Sequence, residues 1–152
     1  MKKIVSSLLV LCMVMALTAC GGKEQTVSYQ TTQEQSGLVM VDTMTLDAKG
    51  DKVQKLTEVI EMDMSAFDAD QQAMMAEMYD ALIEQYNAID GVECTGEAGD
   101  GTYTMNIVVD TTGDAVSQLA DAGLMEVEGN ADGISLKRTG ESLEASGYTL
   151  VE

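Results

Sequence analysis

Histidine, proline and tryptophan are all absent from this chain of 152 residues, and phenylalanine occurs once. The missing histidine excludes most. No Ser-His-Asp or Cys-His nucleophile can be assembled, and no histidine-containing zinc site can form. Catalysis would have to rest on carboxylates or lysines. The missing tryptophan removes the side chain expected in a sugar-binding cleft. Bases are scarce: 8 Lys and Arg stand against 26 Asp and Glu, a net charge of −18. Phosphate recognition needs clustered Lys and Arg, so nucleic acid is disfavoured as a partner. A polybasic grip on anionic lipid is disfavoured by the same sign. The charge favours a cationic ligand: a metal ion, a basic peptide or a basic protein surface.

What is present begins at the N-terminus. Lys2 and Lys3 precede an apolar run, Ile4 to Leu17, broken only by Ser6 and Ser7, and the small residues Thr18 and Ala19 stand before Cys20. A basic start, a short apolar core and a small-residue exit describe a secretory leader. The run is shorter than the roughly 20 residues that a membrane-spanning helix needs. Leu17-Thr18-Ala19-Cys20 resembles the lipobox of bacterial lipoproteins. That resemblance implies cleavage before Cys20, lipidation of its thiol, palmitate included, and a place in the cell envelope on the extracytoplasmic face of a membrane.

Residues 1–19 are therefore read as a leader, 20–25 as a short tether and 26–152 as one domain. Removing the leader, which holds two lysines and no acid, leaves 133 residues with 26 acids against 6 bases, a side-chain charge of −20. A chain of that length can close a hydrophobic core. Cys12 leaves with the leader and Cys20 carries lipid, so Cys94 has no disulfide partner and is expected to be buried.

Thr26–Thr32 reads as a weak edge strand, and Leu38–Leu46 and Val53–Met64 as a hairpin about the turn Lys49-Gly50-Asp51. Leu38, Met40, Met44 and Leu46 share one face, interrupted by Asp42; Leu56, Ile60, Met62 and Met64 face them. Ser65 or Asp68 caps one long helix, about Ala69 to Ile89, whose apolar stripe is Met75, Tyr79, Leu82, Tyr86 and Ile89. Gly91 suits a left-handed turn after it. Val92–Thr95 and Thr102–Asp110 form a second hairpin around a glycine-rich loop, Gly96–Gly101. Two short helices, Thr112–Gly123 and Thr139–Ser146, are separated by an acidic loop, Glu126–Asp132, and a short strand, Gly133–Lys137. Gly147 stops the last helix, and Tyr148–Val151 closes the chain. This order predicts an α+β fold: an antiparallel sheet from two hairpins, with one long and two short helices packed on one face.

Gly50-Asp51-Lys52-Val53, then Asp90-Gly91-Val92-Glu93 after the long helix, then Gly133-Ile134-Ser135-Leu136-Lys137 running into Glu141-Ser142-Leu143 and Gly147-Tyr148, resemble the YehR-like small bacterial lipoproteins over roughly Val27–Tyr148. The resemblance implies an extracytoplasmic α+β lipoprotein of unsettled function and carries over no catalytic residue. The chain departs from that family in having few lysines.

Four patterns invite sharper readings. Met62-Asp63-Met64, with Met40 and Met44 opposite, offers soft thioethers suited to Cu(I), but methionine also fills irregular cores, and core packing is expected. Met74, Met75 and Met78 could form an adaptable peptide-binding surface, but a helix of this kind is expected to pack on its own sheet. Carboxylates could hydrolyse glycosides if two converged across a cleft. Asp68-Ala69-Asp70, Asp110 with Asp114, and Glu126, Glu128 and Asp132 lack the spacing of a calcium loop and read as solvated surface. Gly96, Gly99 and Gly101 lack the Lys-Ser/Thr of a phosphate cradle, and Glu97 and Asp100 would repel phosphate. The expectation is a non-enzymatic binding or interaction module, with no cofactor, no catalytic residues and no metal ligands assigned; a cation-handling role for Ca²⁺ or copper is the alternative.

Overall fold

The structure is a computed structural model and describes residues 22–126 and 133–151. Six strands form one antiparallel sheet, and three helices cover one of its faces. β1 (Glu24–Gln35), β2 (Leu38–Lys49) and β3 (Lys52–Asp63) form a meander. α1 (Ala69–Asn87) leads to the hairpin of β4 (Val92–Ala98) and β5 (Thr102–Asp110). α2 (Ala115–Asp121) and α3 (Leu136–Ala145) precede β6 (Thr149–Val151). The spatial order is β4-β5-β3-β2-β1-β6, so the hairpin pairs with β3 and the C-terminal strand with β1. The fold is α+β, as the element order implies.

The meander is longer than the sequence pattern suggests. β1 begins at Glu24, opposite Lys49, two residues inside the segment read as tether, and runs past Thr32 to Gln35. Its turn to β2 is the pair Ser36-Gly37, both with positive φ, the geometry a two-residue hairpin turn demands. A bulge between Asp47 and Ala48 on β2 sets Ala48 opposite Val53 and Asp47 opposite Lys55. Gln54 is the extra residue, and it returns Val53 to the covered face, fully buried, despite the wrong parity.

β4 does not stop at Thr95. It continues through Gly96 to Ala98, opposite Tyr103. Gly96 is needed there because a Cβ at that position would collide with the Tyr103 ring and with Ile83 of α1. Glycine in this strand makes room for an aromatic ring crossing from its neighbour. The strand expected over Gly133–Lys137 reduces to one bridge, Ser135 to Lys52, because Ser135 is already the N-cap of α3, accepting from the Arg138 amide. α3 therefore starts three residues earlier than its apolar pattern indicates. α1 ends at Asn87, short of Ile89, while its start is as read: Asp68 accepts from the Gln71 amide and Gln71 returns a bond to the Asp68 amide. Gly147 follows α3 with φ +93, the left-handed turn that ends it. Part of the acidic loop, residues 127–132, lies outside the described residues, as does Cys20 with the whole leader. Among the described residues no helix is long and apolar enough to cross a membrane.

The core lies between the sheet and the helices. Tyr29, Leu46, Leu56, Met62, Tyr103, Met105, Ile107 and Val109 face it from the strands, and Val116, Leu119 and Leu136 close it from α2 and α3. α1 contributes only half-buried side chains, Met75, Tyr79, Leu82, Ile83 and Tyr86 among them. The opposite face of the sheet carries Ser28, Thr43, Thr45 and Thr57, with Ser28 bonded to Thr45 and Gln30 to Thr43.

Candidate functional site

Two carboxyls sit on the covered face of the sheet, among apolar neighbours. Asp42 is opposite Ile60, and Glu58 is opposite Met44, so the two acids are diagonal neighbours across β2 and β3. Their side chains hydrogen-bond to each other, which requires one of them to hold a proton. Glu58 holds it. Burial, then the charge of Asp42, pushes the Glu58 carboxyl up to about 7. Asp42 accepts a 2.5 Å bond from the Tyr148 hydroxyl on Oδ2. Burial also raises Asp42, an effect the Tyr148 and Glu58 bonds oppose. Asp42 Oδ1 is buried with no donor among the ordinary hydrogen-bonding groups; a protonated Glu58 supplies the one it needs.

The surroundings depend on the pair. Burial raises Tyr148, and the bond to Asp42 adds to it. Tyr86 of α1, whose hydroxyl donates to the Leu124 carbonyl at 3.3 Å, is raised first by burial and then by the Glu58 charge. Cys94 lies one strand beyond Ile107, on the same face as Glu58. It is 3% exposed, as the sequence led us to expect, and burial followed by the Glu58 charge pushes its thiol up to about 11. Asn87 at the end of α1 clamps this strand: its amide donates to the Cys94 carbonyl at 2.8 Å and its oxygen accepts from the Cys94 amide at 2.7 Å. Glycoside hydrolysis needs two carboxyls held roughly 5–9.5 Å apart across the reacting bond, whereas Asp42 and Glu58 bond to each other.

Asp42 also forms part of the wall of a slot of about 200 Å³ between α1 and the sheet. The rest of the wall includes Met40, Met62, Met105, Tyr79 and Leu82. Met44 and Met64 are not part of it; Met44 lines a second cavity, of about 230 Å³, under α2 and α3. The sequence pattern Met62-Asp63-Met64 therefore does not act as a unit, and Met105, from the other hairpin, takes the place of Met64. The helix methionines also divide. Met75 packs on the core, whereas Met74 and Met78 are 67% and 59% exposed.

Some of the other acids serve their own backbone. Asp68 caps α1. Asp110 accepts from the Thr112 amide and hydroxyl, and Asp114 stands at the N-cap of α2 without a side-chain bond. Among the described residues no three His, Cys, Asp or Glu side chains gather closely enough to hold a metal; Glu128 and Asp132 lie outside them.

A family model described as a protein of unknown function, DUF1307, matches residues 25–149. The chain belongs to the DUF1307 family. This DUF1307 chain is 31% identical over 150 residues, 97% of its own length and 95% of the relative's, to an uncharacterised lipoprotein of Listeria monocytogenes, Lmo0207. The NMR structure of Escherichia coli YehR shares its fold, with a TM-score of 0.64 at 21% identity over 84% of this chain and 92% of that one. So does a Streptococcus pneumoniae protein solved by NMR, with a TM-score of 0.55 at 13% identity over 99% of both chains. The resemblance to YehR-like lipoproteins of unsettled function thus holds for the DUF1307 domain at the level of family and fold. The signal for the acid pair was legible in part: Asp42 interrupts an apolar face, and Glu58 interrupts the facing one two residues from Asp42's cross-strand partner.

Proposed function

We propose that this protein is a non-enzymatic interaction module, held by lipid on Cys20 at the extracytoplasmic face of a membrane, that docks a basic amphipathic segment of another protein on the outer side of α1. The lipobox-like leader and the lipoprotein relative support the anchored part. One observation carries the docking part. Met74 and Met78 are the most exposed large apolar side chains among the described residues, and they lie one helical turn apart. Asp70, Glu77 and Glu84 recur every seven residues along the adjoining stripe, all exposed. Flexible thioethers adapt to varied apolar partners, and a row of acids selects a cationic one. A partner helix presenting alternating apolar and Lys/Arg positions complements both.

The test uses a fluorescent amphipathic Lys/Leu peptide and anisotropy at several salt concentrations. Salt-sensitive binding is expected, weakened at least tenfold by Met74→Gln with Met78→Gln, and weakened also by Glu77→Gln with Glu84→Gln. Equal affinity in the methionine double variant would reduce the interaction to attraction between opposite net charges and sink the docking site. Anchoring is tested separately. Cys20→Ser should abolish acyl mass on the mature N-terminus, and a wild-type protein found free in the medium without that mass would refute the anchor.

A further inference from the structure

We propose that the slot between α1 and the sheet is a site for a soft monovalent metal ion, Cu(I), held by the thioethers of Met40, Met62 and Met105 with Asp42 as the countercharge. The three methionines come from three adjacent strands, β2, β3 and β5. Met40 and Met62 are direct cross-strand partners. Met105 is opposite Ile60, one diagonal step from Met62. All three side chains line one cavity. With strands about 4.8 Å apart and a two-residue offset along them, Met40 and Met105 lie roughly 12 Å apart at the backbone, a gap that two unbranched side chains reaching inward span. The three methionines belong to two separate hairpins, so local sequence does not display them as a motif.

Packing alone accounts poorly for this arrangement. Methionine is the side chain best able to collapse into a gap, yet a space of about 200 Å³ remains beside three of them. A carboxylate, Asp42, stands in the same wall as the three methionines. Thioether donors select soft ions over Ca²⁺ and Mg²⁺. Gln33, exposed on β1, lines the slot at that side.

The experiment uses the full chain with Cys12→Ala, Cys20→Ala and Cys94→Ala, so that methionine supplies every sulfur. Ag(I), the redox-inert analogue of Cu(I), is titrated while the methionine methyl resonances are followed by NMR. The expected result is one equivalent bound, with the Met40, Met62 and Met105 methyls shifting together and the melting temperature rising with free Ag(I). Met62→Leu, which preserves volume and packing, should weaken binding at least tenfold, and Asp42→Asn should weaken it several-fold. Met74→Leu with Met78→Leu should leave it unchanged. Bathocuproine competition with Cu(I) should rank the variants in the same order. Shifts confined to Met74 and Met78, or undiminished binding by Met62→Leu, would overturn the site and return the three thioethers to the core. If Met62→Leu fails to fold, the methyl shifts of the parent chain decide alone.

Discussion

The Tyr148 hydroxyl donates to Asp42 Oδ2 across 106 residues of sequence, joining the last turn of the chain to the middle of the sheet. Among the described residues the C-terminal strand β6 is three residues long and pairs with β1 alone. Tyr148→Phe removes the one donor outside the acid pair and leaves a buried carboxylate short of a partner. Bonds to charged groups contribute about 1.5–3 kcal/mol, and the loss should fall in that range. Hydrogen exchange should accelerate first at Thr149–Val151 and at their partners on β1. An unchanged melting temperature together with unchanged protection of β6 would show that the strap is held by packing alone.

The acid pair makes a pH prediction with a definite sign. Glu58 has an ordinary value of 4.5 and is raised to about 7 in the fold. Between those values the folded state holds a proton that the unfolded state has lost. Stability contributed by protonated Glu58 is therefore fully present below about 4.5 and declines as pH rises through about 7. Glu58→Gln keeps the shape, stays neutral and offers Asp42 an N–H donor. The variant should gain relative to wild type as pH climbs from 5 to 8, by a margin on the order of 1–3 kcal/mol. General repulsion among the acids acts on both proteins alike, so the difference between their denaturation curves is the readout. Parallel curves across that range would mean Glu58 is ionised throughout.

Cys94 is governed by burial and by its clamp. The thiol stands at about 11, so almost none is thiolate at neutral pH. Reaction with a thiol reagent should be slow in the folded protein and fast in denaturant, measured with Cys12 and Cys20 replaced. Asn87→Ala deletes both bonds to the Cys94 backbone and should speed the folded-state reaction by loosening the β4 edge. Equal rates in buffer and denaturant would establish an accessible thiol.

Much of this architecture can be read in the sequence because it is local. Alternation places Leu38, Met40, Met44 and Leu46 on one face, and the Asp68–Gln71 spacing announces the start of α1. The features that escaped are those decided by a distant neighbour. Gly96 looks like loop until the Tyr103 ring is placed over it. Val53 breaks parity until a bulge at Gln54 turns it inward. Ser135 reads as strand until its hydroxyl is seen capping α3 while it donates to Asp51, 84 residues away. Asp42 shows as an interruption of an apolar face, but nothing local reveals that Glu58 answers it one strand over, or that Met105 joins Met40 and Met62 from the second hairpin.

The density of acid on so small a domain sets the final expectation. With the leader removed the side-chain charge is −20, and self-repulsion on that scale opposes the compact state. Salt screens exposed charges over about 8–10 Å at physiological strength, so any monovalent salt should raise the melting temperature. Specific calcium binding demands more: a gain that grows with free ion at fixed ionic strength. Three of the acids are already engaged by their own neighbours. Asp51 accepts from the Ser135 hydroxyl at 2.7 Å and the Lys137 amide at 2.9 Å, Asp63 accepts from the Ser65 amide, and Asp110 from Thr112. These bonds hold all three carboxyls below their ordinary range and use lone pairs that a six- to eight-oxygen ion would need. A calcium titration against NaCl at constant ionic strength should therefore leave the melting temperature flat. A saturable rise at millimolar calcium or below, not matched by magnesium, would show that these side chains exchange their own backbone for a hard cation, and the acidic surface would then be a binding site in its own right.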